Sequence, residues 1–354
     1  MTRILKIESI KKDKDKIIAA AEILKLGGTA VFPTETVYGL GANALDENAV
    51  KKIFTAKGRP ADNPLIVHIW NIEQVESVAA QVPSSFRILA EKFWPGPLTL
   101  VVRKTKALPH IVTAGLDTVG IRMPDNLIAL ELLKCANIPI AAPSANISGS
   151  PSPTSAEHVI KDLNDRVDVI IDGGNSRVGL ESTVLDISGE IPVILRPGAV
   201  TKEQIEEVIG RVEIDNHVMA KMEKGTIKPR SPGVKYKHYS PKAQVTLIDG
   251  PIESIVKEIK LKTENLSAEG KKVGIMATEQ TRKAYDKGLV FSVGDRDNPE
   301  TIASNLFRLL REFDEEKVDI IFMESLEKDG IGMAIMNRMV RAAGYNVIRV
   351  GGKL

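Results

Sequence analysis

The chain is poor in the residues that make chemistry easy to assign. It has one cysteine, Cys135, in 354 residues, which excludes intrachain disulfides and any cysteine-based zinc site. No apolar run reaches the roughly 18 residues of a membrane span, and Met1-Thr2-Arg3 opens no signal-peptide core. The expectation is a soluble, cytoplasmic protein. Neither sign of charge dominates: 48 Lys and Arg face 46 Asp and Glu, a formal net charge of +2. That balance argues against a dedicated nucleic-acid-binding surface, local basic pockets aside. Absent too are a Walker pattern, a Ser-His-Asp set and metal-ligand spacing. What remains is a chain long enough for two domains at about 150 residues each, with 43% hydrophobic residues to build their cores.

The most informative stretch runs from Phe32 to Ala44, Phe-Pro-Thr-Glu-Thr-Val-Tyr-Gly-Leu-Gly-Ala-Asn-Ala. It follows the apolar run Thr29–Phe32, a buried strand, and ends before a helix that Asp46 would cap. Two hydroxyls, a carboxylate, a phenol and two glycines therefore sit on one expected strand-to-helix crossing, where ligands bind in open α/β sheets. An ordinary polar turn is the alternative.

Along residues 1–210 helical and strand patterns alternate, with hairpin-like neighbours, and predict a mixed-sheet α/β domain. Residues 211–243 lose all periodicity. The stretch Lys228–Pro241 carries two tyrosines, a histidine and four basic groups, more than a plain linker needs, and reads as a segment lying over a pocket. From 244 to 354 strands and helices alternate cleanly, as in a small parallel Rossmann-like domain. Its first strand is followed by Asp249-Gly250-Pro251 and not by G-x-G-x-x-G, so a dinucleotide site there is not expected.

Several groups could carry chemistry. Lys57 and Arg59 flank a glycine after a helix; the pair suits a polyphosphate, although cations also gather at helix C-termini for the dipole alone. Ser144-Ala145-Asn146 leaves a strand end, a way to present donors to phosphate, with helix capping explaining part of the serine-rich run that follows. His68 lies in an apolar strand, where a satisfied core histidine is the commoner case. Arg122 and Arg196 end apolar strands and need anionic partners, because burying an unpaired guanidinium costs several kcal/mol. Glu181-Ser182-Thr183 starts another strand with two hydroxyls. Together these predict a multiply anionic ligand held by positioning groups.

In this order the motifs resemble the YrdC-like domain of threonylcarbamoyl-AMP synthases. They are Pro33–Leu40, Lys57-Gly58-Arg59-Pro60, Asn63-Pro64-Leu65, Phe93–Thr99, Pro143–Gly149, Glu181-Ser182-Thr183 and Leu195-Arg196-Pro197-Gly198, spread over about residues 15 to 210. With His238-Tyr239-Ser240-Pro241 and the Rossmann-like module, the whole looks like the long, two-domain form of the family. The resemblance implies an N-terminal YrdC-like mixed twisted sheet with a concave pocket and a C-terminal parallel Rossmann-like α/β domain. It implies that L-threonine, bicarbonate and ATP become threonylcarbamoyl-AMP and pyrophosphate, with Mg²⁺ accompanying ATP and no protein metal ligand that can be named. A downstream tRNA-modifying transferase would take the product. Residue by residue, it implies that Thr36, His68, Arg122 and Ser182 bind threonine, with Ala142 contributing backbone only. Arg59, Asn63, Thr118, Ser144, Ser152, Arg196 and Tyr236 would bind ATP, and Lys57 with Arg59 would serve the phosphates catalytically. The linker, around 229–241, would act as a lid.

No covalent intermediate is needed for such chemistry, so the lack of an obvious nucleophile agrees with it. A hydrogenase-maturation carbamoyltransferase uses a similar domain but adds cysteine-rich zinc modules, which one cysteine rules out. A non-catalytic RNA-binding protein of the same fold is the principal alternative. It would bind tRNA in a salt-dependent way without threonine-dependent pyrophosphate release. A generic ATP-binding regulatory module would ignore bicarbonate.

Overall fold

The computed structural model describes residues 1–218 and 239–351. These divide into two compact units, 1–148 with 152–218, and 149–151 with 239–351. Tyr236 and nearly all of the expected lid lie outside the described residues.

The first unit is built on one mixed sheet. In chain order its strands are β1 (Arg3–Lys6), β2 (Ala30–Phe32), β3 (Gly39–Asn43), β4 (Ile66–His68), β5 (Ala79–Gln81), β6 (Leu98–Lys104), β7 (Thr118–Arg122), β8 (Ile140–Ala142), β9 (Val169–Asp172), β10 (Thr183–Asp186), β11 (Val193–Arg196) and β12 (Glu213–Ile214). They join in the order β1-β9-β2-β3-β8-β4-β7-β6-β10-β11-β12, with β5 also pairing β6. Side chains alternate between the faces, and the part of the sheet around β9, β2 and β8 is covered on both. Phe32, Val169, Ile171 and Ile140 pack on one side with helices Ile10–Lys25 and Leu127–Ala136. Val31, Ile170 and Ala141 pack on the other with helices that include Glu47–Lys57 and Ser84–Phe93.

Local chemistry sets the helix ends. The Asp46 carboxylate accepts from the amides of Asn48 and Ala49 and starts helix Glu47–Lys57. Gly58 ends it in the left-handed conformation at φ 60°, a shape that costs glycine little. Thr201 and Gln204 form a reciprocal capping box on helix Lys202–Ile209.

The structure corrects the expected crossing at 33–44. Residues 39–43 form β3, antiparallel to β2, so this is a strand-turn-strand unit that reaches the helix only afterwards. Residues 213–214, expected in the linker, form the edge strand β12. In the second unit, five parallel strands, β13 (Gln244–Asp249), β14 (Val273–Ala277), β15 (Leu289–Ser292), β16 (Ile320–Glu324) and β17 (Val347–Arg349), lie in the order β15-β14-β16-β13-β17. The alternation expected over 244–354 puts a helix between β14 and β15, near 279–286, where the structure has only a short 3₁₀ turn at Arg282–Ala284. No helix among the described residues is long and apolar enough to cross a membrane.

Candidate active site

Register fixes two clusters at opposite edges of β4 and β7. The strands run parallel, with His68 opposite Arg122 at their C-terminal ends. β8 runs antiparallel to β4 and pairs Ala142 with Ile66, which sends Ser144 back toward the start of β4, where Asn63 and Pro64 lead in. Thr118 starts β7 at that same edge, four residues or about 13 Å from Arg122 at ~3.3 Å per residue. One edge therefore gathers Asn63, Thr118 and Ser144, and the other His68 and Arg122. A ligand that touches both is extended.

At the first edge the Lys57 side chain is buried. Its Nζ donates to Ser144 O at 2.5 Å and Asn146 O at 2.6 Å. Lys57, expected beside the phosphates, thus holds the loop that carries Ser144. Ser144 Oγ donates to Asn146 Oδ1 at 2.6 Å. Arg59 Nη2 donates to the carbonyls of Asn63 and Pro64, at 3.2 and 3.4 Å, and closes the 59–64 loop on itself. The Asn63 side chain is fully buried, and neither Nδ2 nor Oδ1 finds a hydrogen-bond partner among the described residues. Such a group costs about 1–3 kcal/mol and marks a place where a partner is expected.

At the second edge Arg122 lies 2.7 Å from Glu35 Oε2, with 5% and 1% of the two side chains exposed. The contact is a close ion pair off the hydrogen-bond axis, while Arg122 Nε donates to Gly96 O at 3.2 Å. His68 is buried edge-on to Phe32, and its Nδ1 donates to Ile66 O at 3.2 Å. Burial above all, then the adjacent Arg122 charge, holds the His68 pKa down to about 3, against the pull of the Ile66 and Ile140 carbonyls. His68 is therefore a neutral ring at physiological pH. It can offer polar contacts but no charge, and the cation of this edge is Arg122.

Ser182 precedes β10, which β6 aligns with the Arg122 end of β7. Its Oγ contacts Thr99 Oγ1 at 2.8 Å and accepts from Arg196 Nη2 at 3.2 Å, while Arg196 Nε donates to Ser182 O at 3.1 Å. Ser152 Oγ donates to Glu181 Oε1 at 2.5 Å. The structure thus ties Ser182 to Arg196, and Ser152 to the residue before Ser182. Ala142 pairs as backbone within β8.

Not every polar group of the 33–44 stretch faces a ligand. Tyr38 Oη donates to Gly174 O at 2.5 Å and accepts from the Gly173 amide, and burial pushes its pKa far up. Thr34 Oγ1 caps the turn, accepting from the Thr36 and Val37 amides. Glu35, Thr99 and Glu181 have no assigned role in the sequence reading, although all stand within the quoted motifs. For Glu35 a signal was there: an acid between two threonines in an apolar stretch needs a cation. No cluster of three or more His, Cys, Asp or Glu side chains placed to hold a metal ion occurs among the described residues.

Comparison with known proteins covers nearly the whole chain. Residues 22–198 match the Sua5/YciO/YrdC family model, described as telomere recombination, and residues 200–344 match the model for the threonylcarbamoyl-AMP synthase C-terminal domain. A threonylcarbamoyl-AMP synthase of Pyrococcus abyssi is 50% identical over 335 residues, covering 95% of this chain and 96% of its own. One from Bacillus subtilis is 49% identical, covering 97% of both chains. The crystal structure of P. abyssi Sua5 complexed with L-threonine superposes with a TM-score of 0.92 at 48% identity, over 99% of this chain and all of that one.

Proposed function

The chain belongs to the threonylcarbamoyl-AMP synthase family, and we infer from this that it converts L-threonine, bicarbonate and ATP to L-threonylcarbamoyladenylate and pyrophosphate. It is then a nucleotidyltransferase of the cytoplasm, and a tRNA-modifying transferase consumes its product. One observation carries the geometry of this reading: buried polar side chains stand at both edges of β4 and β7, Asn63 at one and Arg122 with Glu35 at the other.

In this reading Arg122 takes the threonine carboxylate. The neutral His68, with Thr36 and Ser182, takes its polar groups beside the Ala142 backbone. Arg59, Asn63, Thr118 and Ser144 take the nucleotide from the opposite edge, with Ser152 and Arg196 meeting it near Ser182. Contact between Ser144 and a phosphate requires its hydroxyl to turn from Asn146. Lys57 acts by holding that loop. In this reading Mg²⁺ arrives on the nucleotide, as is common for an ion that keeps several waters.

The chemistry needs little beyond alignment. The threonine amine and bicarbonate give a carbamate and water; a carbamate oxygen then attacks the α-phosphorus, and the bond to pyrophosphate breaks. Holding carbamate and phosphate in line supplies the entropic advantage, and Arg59 and Arg196 oppose the charge of the phosphates. Pyrophosphate release should require ATP, threonine and bicarbonate together. Arg59→Ala should abolish it in a folded protein. Release that continues without threonine overturns the reading.

A further inference from the structure

Glu35 has no task in the reading above, yet its position demands one. Its carboxylate is buried, its one close cation is Arg122 at 2.7 Å, and neither oxygen meets an aligned hydrogen-bond donor among the described residues. An ionised carboxylate can accept about four hydrogen bonds, so this one is far from satisfied. Burial of that kind persists where a ligand supplies the missing donors.

The substrate of this edge carries both signs of charge. Arg122 answers the carboxylate of an amino acid, and its ammonium, taken out of water, then needs an anion. Glu35 is the carboxylate beside Arg122, so the pair offers a minus next to a plus, complementary to a zwitterion laid across it. The neighbouring hydroxyl is set the same way. Thr34 Oγ1 donates to Val37 O at 2.6 Å, so across its 2.8 Å contact with Thr36 the proton comes from Thr36. Thr36 Oγ1 is left with lone pairs and no spare proton. Thr36, the residue after Glu35, thus offers a second acceptor of the kind an ammonium requires.

We propose that Glu35 binds the α-ammonium of the amino-acid substrate and restricts the site to α-amino acids. This rests on the reading that the first unit binds L-threonine. The competing role is structural: Glu35 holds Arg122 in place and touches no ligand.

The two roles separate when full-length protein is titrated calorimetrically with L-threonine and with (R)-3-hydroxybutanoate, which is threonine with hydrogen in place of the amine. The native chain should prefer threonine on the order of 100-fold, the strength of a hydrogen bond to a charged group. Glu35→Gln should weaken threonine on the order of 100-fold and leave hydroxybutanoate within about threefold, so the preference collapses while ATP still binds. Glu35→Asp, which keeps the charge, should restore most of the preference and guards against misfolding of the Gln variant. If both ligands weaken together in Glu35→Gln and the preference survives, the role is structural and the proposal falls. A native chain that binds both ligands equally also overturns it. A native chain that binds neither removes the threonine reading itself.

Discussion

The buried, neutral His68 makes a prediction about acid stability that can be worked through in numbers. Its pKa is about 3 in the folded chain against 6.5 for the free side chain. Between those values the unfolded chain holds one more proton at this site than the folded one, so stability rises with pH there. The contribution is complete above pH 6.5 and erodes as pH falls toward 3. At pH 5 the gap from 6.5 is about 1.5 units, worth about 2 kcal/mol at 1.36 kcal/mol per unit. Other groups also titrate over this range, so the quantity to compare is the difference between native and His68→Gln protein. The assay is urea unfolding of the ligand-free chain at pH 7.5 and pH 5, followed by tryptophan fluorescence. Both tryptophans, Trp70 and Trp94, belong to the first unit, so the signal reports the unit that holds His68. The native chain should lose about 2 kcal/mol more than the variant on acidification. Equal losses would show that His68 is protonated in the folded chain or open to solvent, and the division of labour with Arg122 would fail with it.

Two other substitutions probe the nucleotide edge. Lys57→Met leaves the Ser144 and Asn146 carbonyls without their charged donor and should cost about 3 kcal/mol or more in the same urea assay, with weaker ATP binding alongside; a loss under about 1 kcal/mol would refute the anchoring role. Asn63→Leu removes a buried amide with no hydrogen-bond partner among the described residues and should stabilise the ligand-free chain by about 1–2 kcal/mol, read as a higher melting temperature, while ATP affinity drops in calorimetry. A lower melting temperature would mean that the amide is already satisfied.

Much of this architecture could be read from the chain because strong local signals agreed with the fold. Helices 47–57, 127–136 and 202–209 carry side-chain caps, helix 84–93 has an apolar stripe, and the parallel strands of the second unit are short apolar runs between helices. β3 was missed because Gly39-Leu40-Gly41-Ala42-Asn43 lacks the branched residues that mark a strand. The structure shows why glycine stands there: a Cβ on Gly41 would meet Phe32 and Ile140 at 2.8 and 2.7 Å. The two-residue β12 and the lone turn at 282–284 are tertiary outcomes with no local signature. At the site, residue types pointed to an anionic ligand, but pairing is invisible in one dimension. That Lys57 turns toward backbone carbonyls and that Arg122 meets Glu35, 87 positions away, depend on register alone.

The placement of β9 between β1 and β2 has a consequence for how the protein is made. β1 is made before the strand it pairs with, β9, which is encoded more than 160 residues later. Until then its hydrogen-bonding edge stays open, and the nascent chain must wait with an incomplete sheet through most of the first unit's synthesis. β10 and β11 come later still and bring Ser182 and Arg196, so the site residues encoded before them await the last third of that unit.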